Sequence, residues 1–238
     1  MARRFLVFAI LFSAIFTSFG QREKILNLPS FDKPLFHYGF YLGLNSNGYK
    51  VSYKPSFLDQ QRITPQVEVQ SSVGFNVGLI GDLRLHNNLN LRFEPGLMSN
   101  TKTLVFNHMS STNENRRTRE VGATFLHLPL ILKASTNRIN NVRPYVLGGI
   151  SYDYNFSSNE NNSDDNFAGN FRTKTSNFMY ELGIGIDLYL NYFKLSPSIR
   201  GVFAINNELT YDNSPNSPWT DPIDFLGTRG VFLHLAFE

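Results

Sequence analysis

Five histidines, at 37, 86, 108, 127 and 234, are the side chains through which this sequence could move protons or hold a metal near neutral pH. His108 has the most catalytic-looking company, because Ser110 and Ser111 follow it and Glu114 is close. A serine, a histidine and an acid can act as nucleophile, base and orienting group. Such a triad is defined by geometry, however, and not by neighbours in sequence. A stretch rich in Ser and Asn brings these residues together by composition alone. No two histidines have metal-ligand spacing with a third ligand at hand. Asp164–Asp165, in an Asn-rich stretch, is the nearest approach to a calcium site. The absence of cysteine removes thiol nucleophiles, Cys-ligated zinc and disulfides. Gly74, Gly78, Gly183 and Gly185 follow no phosphate-loop pattern. They are expected to relieve crowding where side chains meet. The residues therefore predict no catalytic site, no cofactor and no metal, and the chain is not expected to be an enzyme.

A different group of ionisable residues recurs at regular spacing: Asp82, Arg84, Arg92, Glu94, Glu181, Asp187, Lys194 and Arg200. Each falls on the less apolar face of a segment that alternates with period two, the signature of a strand. Phe36, Tyr38, Phe40, Leu42 and Leu44 alternate with His37, Gly39, Tyr41, Gly43 and Asn45. Phe178, Tyr180, Leu182, Ile184, Ile186, Leu188 and Leu190 alternate with Met179, Glu181, Gly183, Gly185, Asp187 and Tyr189. Similar alternation runs through 74–84, 89–98, 123–133, 193–200 and 231–238. In 143–154 the pattern is strand-like, but either face could be the apolar one. Eight strands result.

Their connections alternate in length. Short turns lie at 86–88, 135–141 and 191–192; long polar segments lie at 46–72, 100–121, 156–176 and 206–228. Short turns on one side and long loops on the other are a property of outer-membrane barrels, and an even strand count leaves both ends of the barrel on the short-turn side.

Composition agrees. Charged residues make up 17% of the 238, below the roughly 25% of soluble domains, and mean hydropathy is slightly negative. A bundle of membrane helices would need several apolar runs of about 20 residues. The 22 Phe and 11 Tyr rule out disorder. Residues 1–20 resemble a cleavable export signal, with a basic start, an apolar run from Phe5 to Phe19, and small Ser18 and Gly20. The expected organisation is a signal peptide (1–20), a periplasmic segment (21–34) and a barrel (35–238). Without Arg3 and Arg4 the net charge falls from +3 to +1, so no nucleic-acid partner is expected.

The expected fold is all-β: an eight-stranded antiparallel up-and-down transmembrane β-barrel in a Gram-negative outer membrane, with outer-membrane lipids as partners. The competing fold is a secreted, lipocalin-like barrel or sandwich, whose outer face would be rich in Lys, Glu and Thr. Here the less apolar face is largely Gly, Asn, Ser and Tyr. An arginine at the bilayer midplane would cost about 2–4 kcal/mol, so Arg92 and Arg200 are expected to point inward. Eight strands leave a lumen that side chains can fill. The eight charges are expected to form a paired interior network that acts as a plug, joined by His37 and His127.

Several stretches resemble the PorT proteins, called SprT in gliding species, of the Bacteroidota type IX secretion and gliding apparatus. The most specific is Phe36-His37-Tyr38-Gly39-Phe40-Tyr41-Leu42-Gly43-Leu44-Asn45, followed by Tyr49-Lys50-Val51-Ser52-Tyr53-Lys54 and preceded by Asn27-Leu28-Pro29-Ser30-Phe31-Asp32. His127-Leu128-Pro129-Leu130-Ile131-Leu132-Lys133 and Arg143-Pro144-Tyr145-Val146-Leu147-Gly148-Gly149 match as well, but are shared with other small Bacteroidota barrels. Thr228, Gly230, Leu233, Leu235 and Phe237 resemble the signal read by the barrel-assembly machinery. The resemblance implies an accessory or assembly role in type IX secretion and gliding motility, with other secretion components as partners. Tyr49, Lys50, Val51, Ser52, Tyr53 and Lys54 are the candidate contact segment, as an extension of the first strand. The alternatives are a small OmpX-like surface barrel, acting as adhesin or membrane stabiliser, and then a lipid-modifying enzyme.

Overall fold

The computed structural model describes residues 25–58, 67–107, 109 and 117–238. The expected signal peptide and the His108, Ser110, Ser111 and Glu114 group lie outside them. One antiparallel sheet contains β1 (Phe36–Tyr53), β2 (Val67–Ser71), β3 (Val73–His86), β4 (Leu89–Phe93), β5 (Gly96–Phe106), β6 (Thr118–Ser135), β7 (Val142–Asn155), β8 (Ser176–Tyr189), β9 (Lys194–Ala204) and β10 (Ile223–Phe237). β1 pairs with β3 along one edge and with β10 along the other, so the sheet closes. β2 and β3 both pair with β5 and form one stave with a break at Ser72. β4 and β5 both lie between β3 and β6 and form another. The cylinder has eight staves.

The third expected strand is thus interrupted at Glu94–Pro95. Pro95 has no N–H for a ladder bond. The wall stays closed, because the Leu79 N–H donates to the Pro95 carbonyl (2.9 Å) and the Glu94 N–H to that of Pro129 (3.2 Å).

The long segments are less open than their polarity suggested. β1 continues to Tyr53, β5 to Phe106, β6 begins at Thr118 and β10 at Ile223. These extensions still alternate, but their outward positions now include Lys50, Thr101, Thr103, Glu120 and Arg229. The composition changes while the backbone stays strand, because these parts rise into water above the apolar band.

That band encircles the cylinder. Phe36, Tyr38, Phe40, Leu42 and Leu44 on β1, Phe75 and Leu79 on β3, and Phe178, Leu182 and Ile184 on β8 are all exposed, Tyr38 to 81%. Val231, Leu233 and Leu235 continue it on β10. A soluble sandwich would bury such a surface; a closed cylinder that presents it all round has acyl chains as its solvent. β7 resolves the ambiguous stretch. Val146, Ile150 and Tyr154 face out, while Tyr145, Leu147, Ser151 and Asp153 are buried. Both faces read as apolar because Tyr145 and Leu147 belong to an inner cluster with Ile131.

Candidate functional site

The lumen is filled in layers. Nearest the short turns lies an ionic layer whose members come from seven staves. Arg92 is fully buried, with Nε 2.8 Å from Asp82 Oδ2 and Nη1 3.3 Å from Glu94 Oε1. It also contacts the Glu238 carboxylate, which Lys194 Nζ reaches at 2.9 Å. Arg200 donates to both Glu94 oxygens, at 2.6 and 3.1 Å, and lies 3.8 Å from Glu181. His127 continues the chain, with Nε2 3.1 Å from Glu181 and Nδ1 2.5 Å from Asp153. Lys133 donates to both Asp187 oxygens (2.7 and 2.8 Å), and Ser196 donates to one of them (2.6 Å).

This is the arrangement that low dielectric demands. A buried ion persists when paired, and removing one partner costs about 3–5 kcal/mol because the other is stranded. Four Lys or Arg side chains face six carboxylates here. His127, with a carboxylate at each ring nitrogen, makes a fifth donor site.

Of the eight charges expected inside, Asp82, Arg92, Glu94, Glu181, Asp187, Lys194 and Arg200 are buried in this layer. Arg84 is not. It is only half-buried and donates to the Asp32 carbonyl at 2.6 Å. Lying close to the turn, it meets the segment across the barrel mouth and not the other charges. His127 joins the layer as expected, whereas His37 contacts the Phe31 carbonyl at 2.5 Å. Lys133, Asp153 and Glu238 also belong to the layer, beyond the charges expected there. Lys133 and Glu238 share the inward parity of their strands, which could have found them; Asp153 lay on the strand whose faces were ambiguous.

Residues 25–35 cap the short-turn end. The Asn27 N–H donates to Asn141 Oδ1 (2.9 Å) and its amide to the Tyr189 carbonyl (3.0 Å). Phe31 stacks on His37 at 4.9 Å and meets the Tyr189 ring edge-on at 6.1 Å. Lys194 Nζ lies 4.8 Å from the Phe31 centroid, and the Tyr189 hydroxyl donates to Asp32 (2.8 Å). The cap therefore attaches directly to the ionic layer.

Above that layer come Met98, Phe125, Met179, Val202 and Phe232, and then a crown beyond the apolar band. Tyr49, Leu104, Phe106, Leu209, Trp219 and Ile223 form the crown's core. Within it Lys102 Nζ donates to Thr228 Oγ1 (2.8 Å), and that hydroxyl donates to Glu208 Oε2 (2.9 Å). Glu208 also accepts the Thr228 N–H at 2.6 Å. Burial lowers the Lys102 ammonium to about 8 and raises the Glu208 carboxyl, each partly offset by the other's charge. Trp219 is closed in by the Phe167 ring edge (5.0 Å) and the Arg119 guanidinium (5.1 Å).

The candidate contact segment divides between two surroundings. Tyr49 and Val51 pack into the crown, Lys50 is exposed, and Lys54 Nζ pairs with Asp221 at 3.0 Å. Asp165 accepts the N–H groups of Phe167 (3.0 Å) and Asn213 (3.1 Å), a turn-capping role. Among the described residues, no group of three or more His, Asp or Glu is arranged to hold a metal.

A sequence model described as "Outer membrane protein beta-barrel domain" matches residues 19–210. Comparison with curated proteins gives no match. Among solved structures, the chain is similar to Neisserial surface protein A, at 10% identity and TM-score 0.42, over 84% of this chain and 97% of that one. It is also similar to OprG of Pseudomonas aeruginosa, at 11% identity and TM-score 0.44, over 85% and 92%. AlkL in lipid bilayers gives 12% identity and TM-score 0.43, over 93% of each chain.

Proposed function

The chain belongs to the outer membrane protein β-barrel domain family, and from that premise we propose that it is a non-conducting accessory component of the type IX secretion and gliding apparatus. It resides in the outer membrane of a Gram-negative bacterium, with its short turns and cap on the periplasmic side and its crown outside. The observation that carries the accessory role is the filled lumen. A cross-section occupied by Arg92, Glu94, Arg200, Glu181 and His127 has no room for a polypeptide. Any part in export is then left to the lipid-facing wall, the crown and the cap. The PorT-like run from Phe36 to Lys54 supplies the link to secretion, and its outer part, including Lys50, lies on the crown wall. On this reading the barrel-assembly machinery inserts the chain, and the chain carries out no catalysis. His108→Ala should leave the lipid profile unchanged.

Deleting the gene in its host and measuring type IX cargo in the medium tests the reading. Loss of cargo together with co-purification of a large secretion barrel supports it. Undiminished secretion overturns it. The second reading, a surface barrel that binds outside material or stiffens the membrane, is favoured by the ordered crown; exchanging the crown loops and scoring attachment distinguishes the two.

A further inference from the structure

Two cations stand side by side on the outer wall just above the apolar band. Lys50 of β1 lies opposite Gly227 of β10, and Arg229 of β10 lies opposite Gly48 of β1. Both side chains are exposed. Because each faces a glycine, no side chain separates them. Among the described residues, no carboxylate lies within ion-pair distance of either. The pair borders an open groove of about 280 Å³, floored by Tyr180, Phe203 and Phe225. Tyr180 stacks on Phe203 with centroids 5.0 Å apart, and the Arg229 guanidinium lies 5.9 Å from the Phe203 ring.

The height of this feature decides what it meets. Val231, two residues below Arg229 on the same face, is an exposed member of the apolar band. Aromatic residues mark the edge of such a band, at the level of the lipid headgroups. Adjacent like charges without a counter-ion repel, and an anion shared between them reverses the sign. The outer leaflet of a Gram-negative outer membrane presents phosphorylated glycolipid at this level, and an aromatic floor accepts the sugar face or the first methylenes of its chains. We propose that Lys50 and Arg229 bind the phosphate of an outer-leaflet lipid of the lipid A class, with its apolar part against Tyr180, Phe203 and Phe225. This inference does not rest on the secretion reading.

Native mass spectrometry of the full chain in neutral detergent, with lipid A as the probe, reads the occupancy. The chain should retain one diphosphorylated lipid A, and retain the dephosphorylated form about tenfold less. The K50Q/R229Q variant should show the same loss while keeping the heat-modifiable gel mobility of a folded barrel. The dephosphorylated arm needs no variant, so misfolding cannot obscure the result. Equal retention of the two lipids overturns the proposal, as does equal retention by a folded K50Q/R229Q. Displacement of the lipid by millimolar inorganic phosphate would assign the pair to a free anion, and overturns it too.

Discussion

Tyr145 and Gly185 lie directly opposite each other on β7 and β8, and the tyrosine ring occupies the space a side chain at 185 would need. A Cβ there would come within 2.4 Å of the ring and 2.7 Å of the Pro197 carbonyl. Tyr41 and Gly78 repeat the relationship on β1 and β3, with the ring 2.6 Å from the corresponding position. In a cylinder this narrow, a large inward residue fits where the next strand offers none.

Gly185→Ala should therefore destabilise the barrel by about 1–3 kcal/mol through overpacking. Urea unfolding in lipid vesicles measures it. Combining it with Tyr145→Ala should recover only part of the loss, since the Pro197 carbonyl remains in place.

Arg200→Met removes the closest cation from Glu94, which keeps only Arg92 at 3.3 Å, and should cost about 3 kcal/mol, the low end for a broken buried pair. The double variant E94Q/R200M should cost less than the sum of the single changes, because the carboxylate that loses its closest cation is neutralised with it. A double-mutant cycle by urea unfolding checks this. Strict additivity would show that the 2.6 Å contact carries no coupling.

Crown stability should fall as pH rises through the raised Glu208 value and recover above the lowered Lys102 value of about 8. Burial raises the folded-state value of Glu208 above that of the unfolded chain, so its contribution is fully present at acid pH and is lost as pH rises through the raised value. Lys102 is lowered to about 8, so the folded state sheds this proton before the unfolded state does, and stability recovers as pH rises from there toward 10.5. Trp219 is the only tryptophan and sits in the crown core, so its fluorescence in urea reports crown opening. E208Q should flatten the acid limb and start the alkaline one at lower pH, because the charge that offsets the burial of Lys102 is gone.

Phe31→Ala should loosen the cap at a cost of about 1–2 kcal/mol, consistent with a partly buried aromatic. It should produce no conductance in planar bilayers, because the ionic layer lies deeper than the cap. A current from F31A would show that the cap is the barrier and the charges only its lining.

Much of this was legible in the residues, for an identifiable reason. A strand with one face in lipid tolerates no error of parity, so Phe178 to Leu190 and Phe36 to Leu44 declared their outward sides. The same constraint sent Arg92, Glu94, Glu181 and Arg200 inward. Legibility failed where the constraint weakens. Above the band the outer faces of β5 and β10 meet water and not lipid, and strand continued where loop was expected. On β7, Tyr145 and Leu147 pack inside and blur the contrast that reveals a face. The cap could not be read from any periodicity, because it is held by single contacts of Asn27, Phe31 and Asp32. Pairing partners such as Lys133 with Asp187 depend on how staves are staggered, which alternation within one strand does not encode.

The carboxylate of Glu238 ties assembly to electrostatics. Glu238 directly follows β10, the stave that zips onto β1, and its oxygens meet Arg92 and Lys194. While that seam is open, Lys194 lacks its carboxylate and Arg92 keeps only Asp82 and Glu94; docking the final stave supplies the missing anion. Shape completion and neutralisation thus become a single event, and a half-zipped intermediate carries an internal penalty that drives it onward or back into solvent.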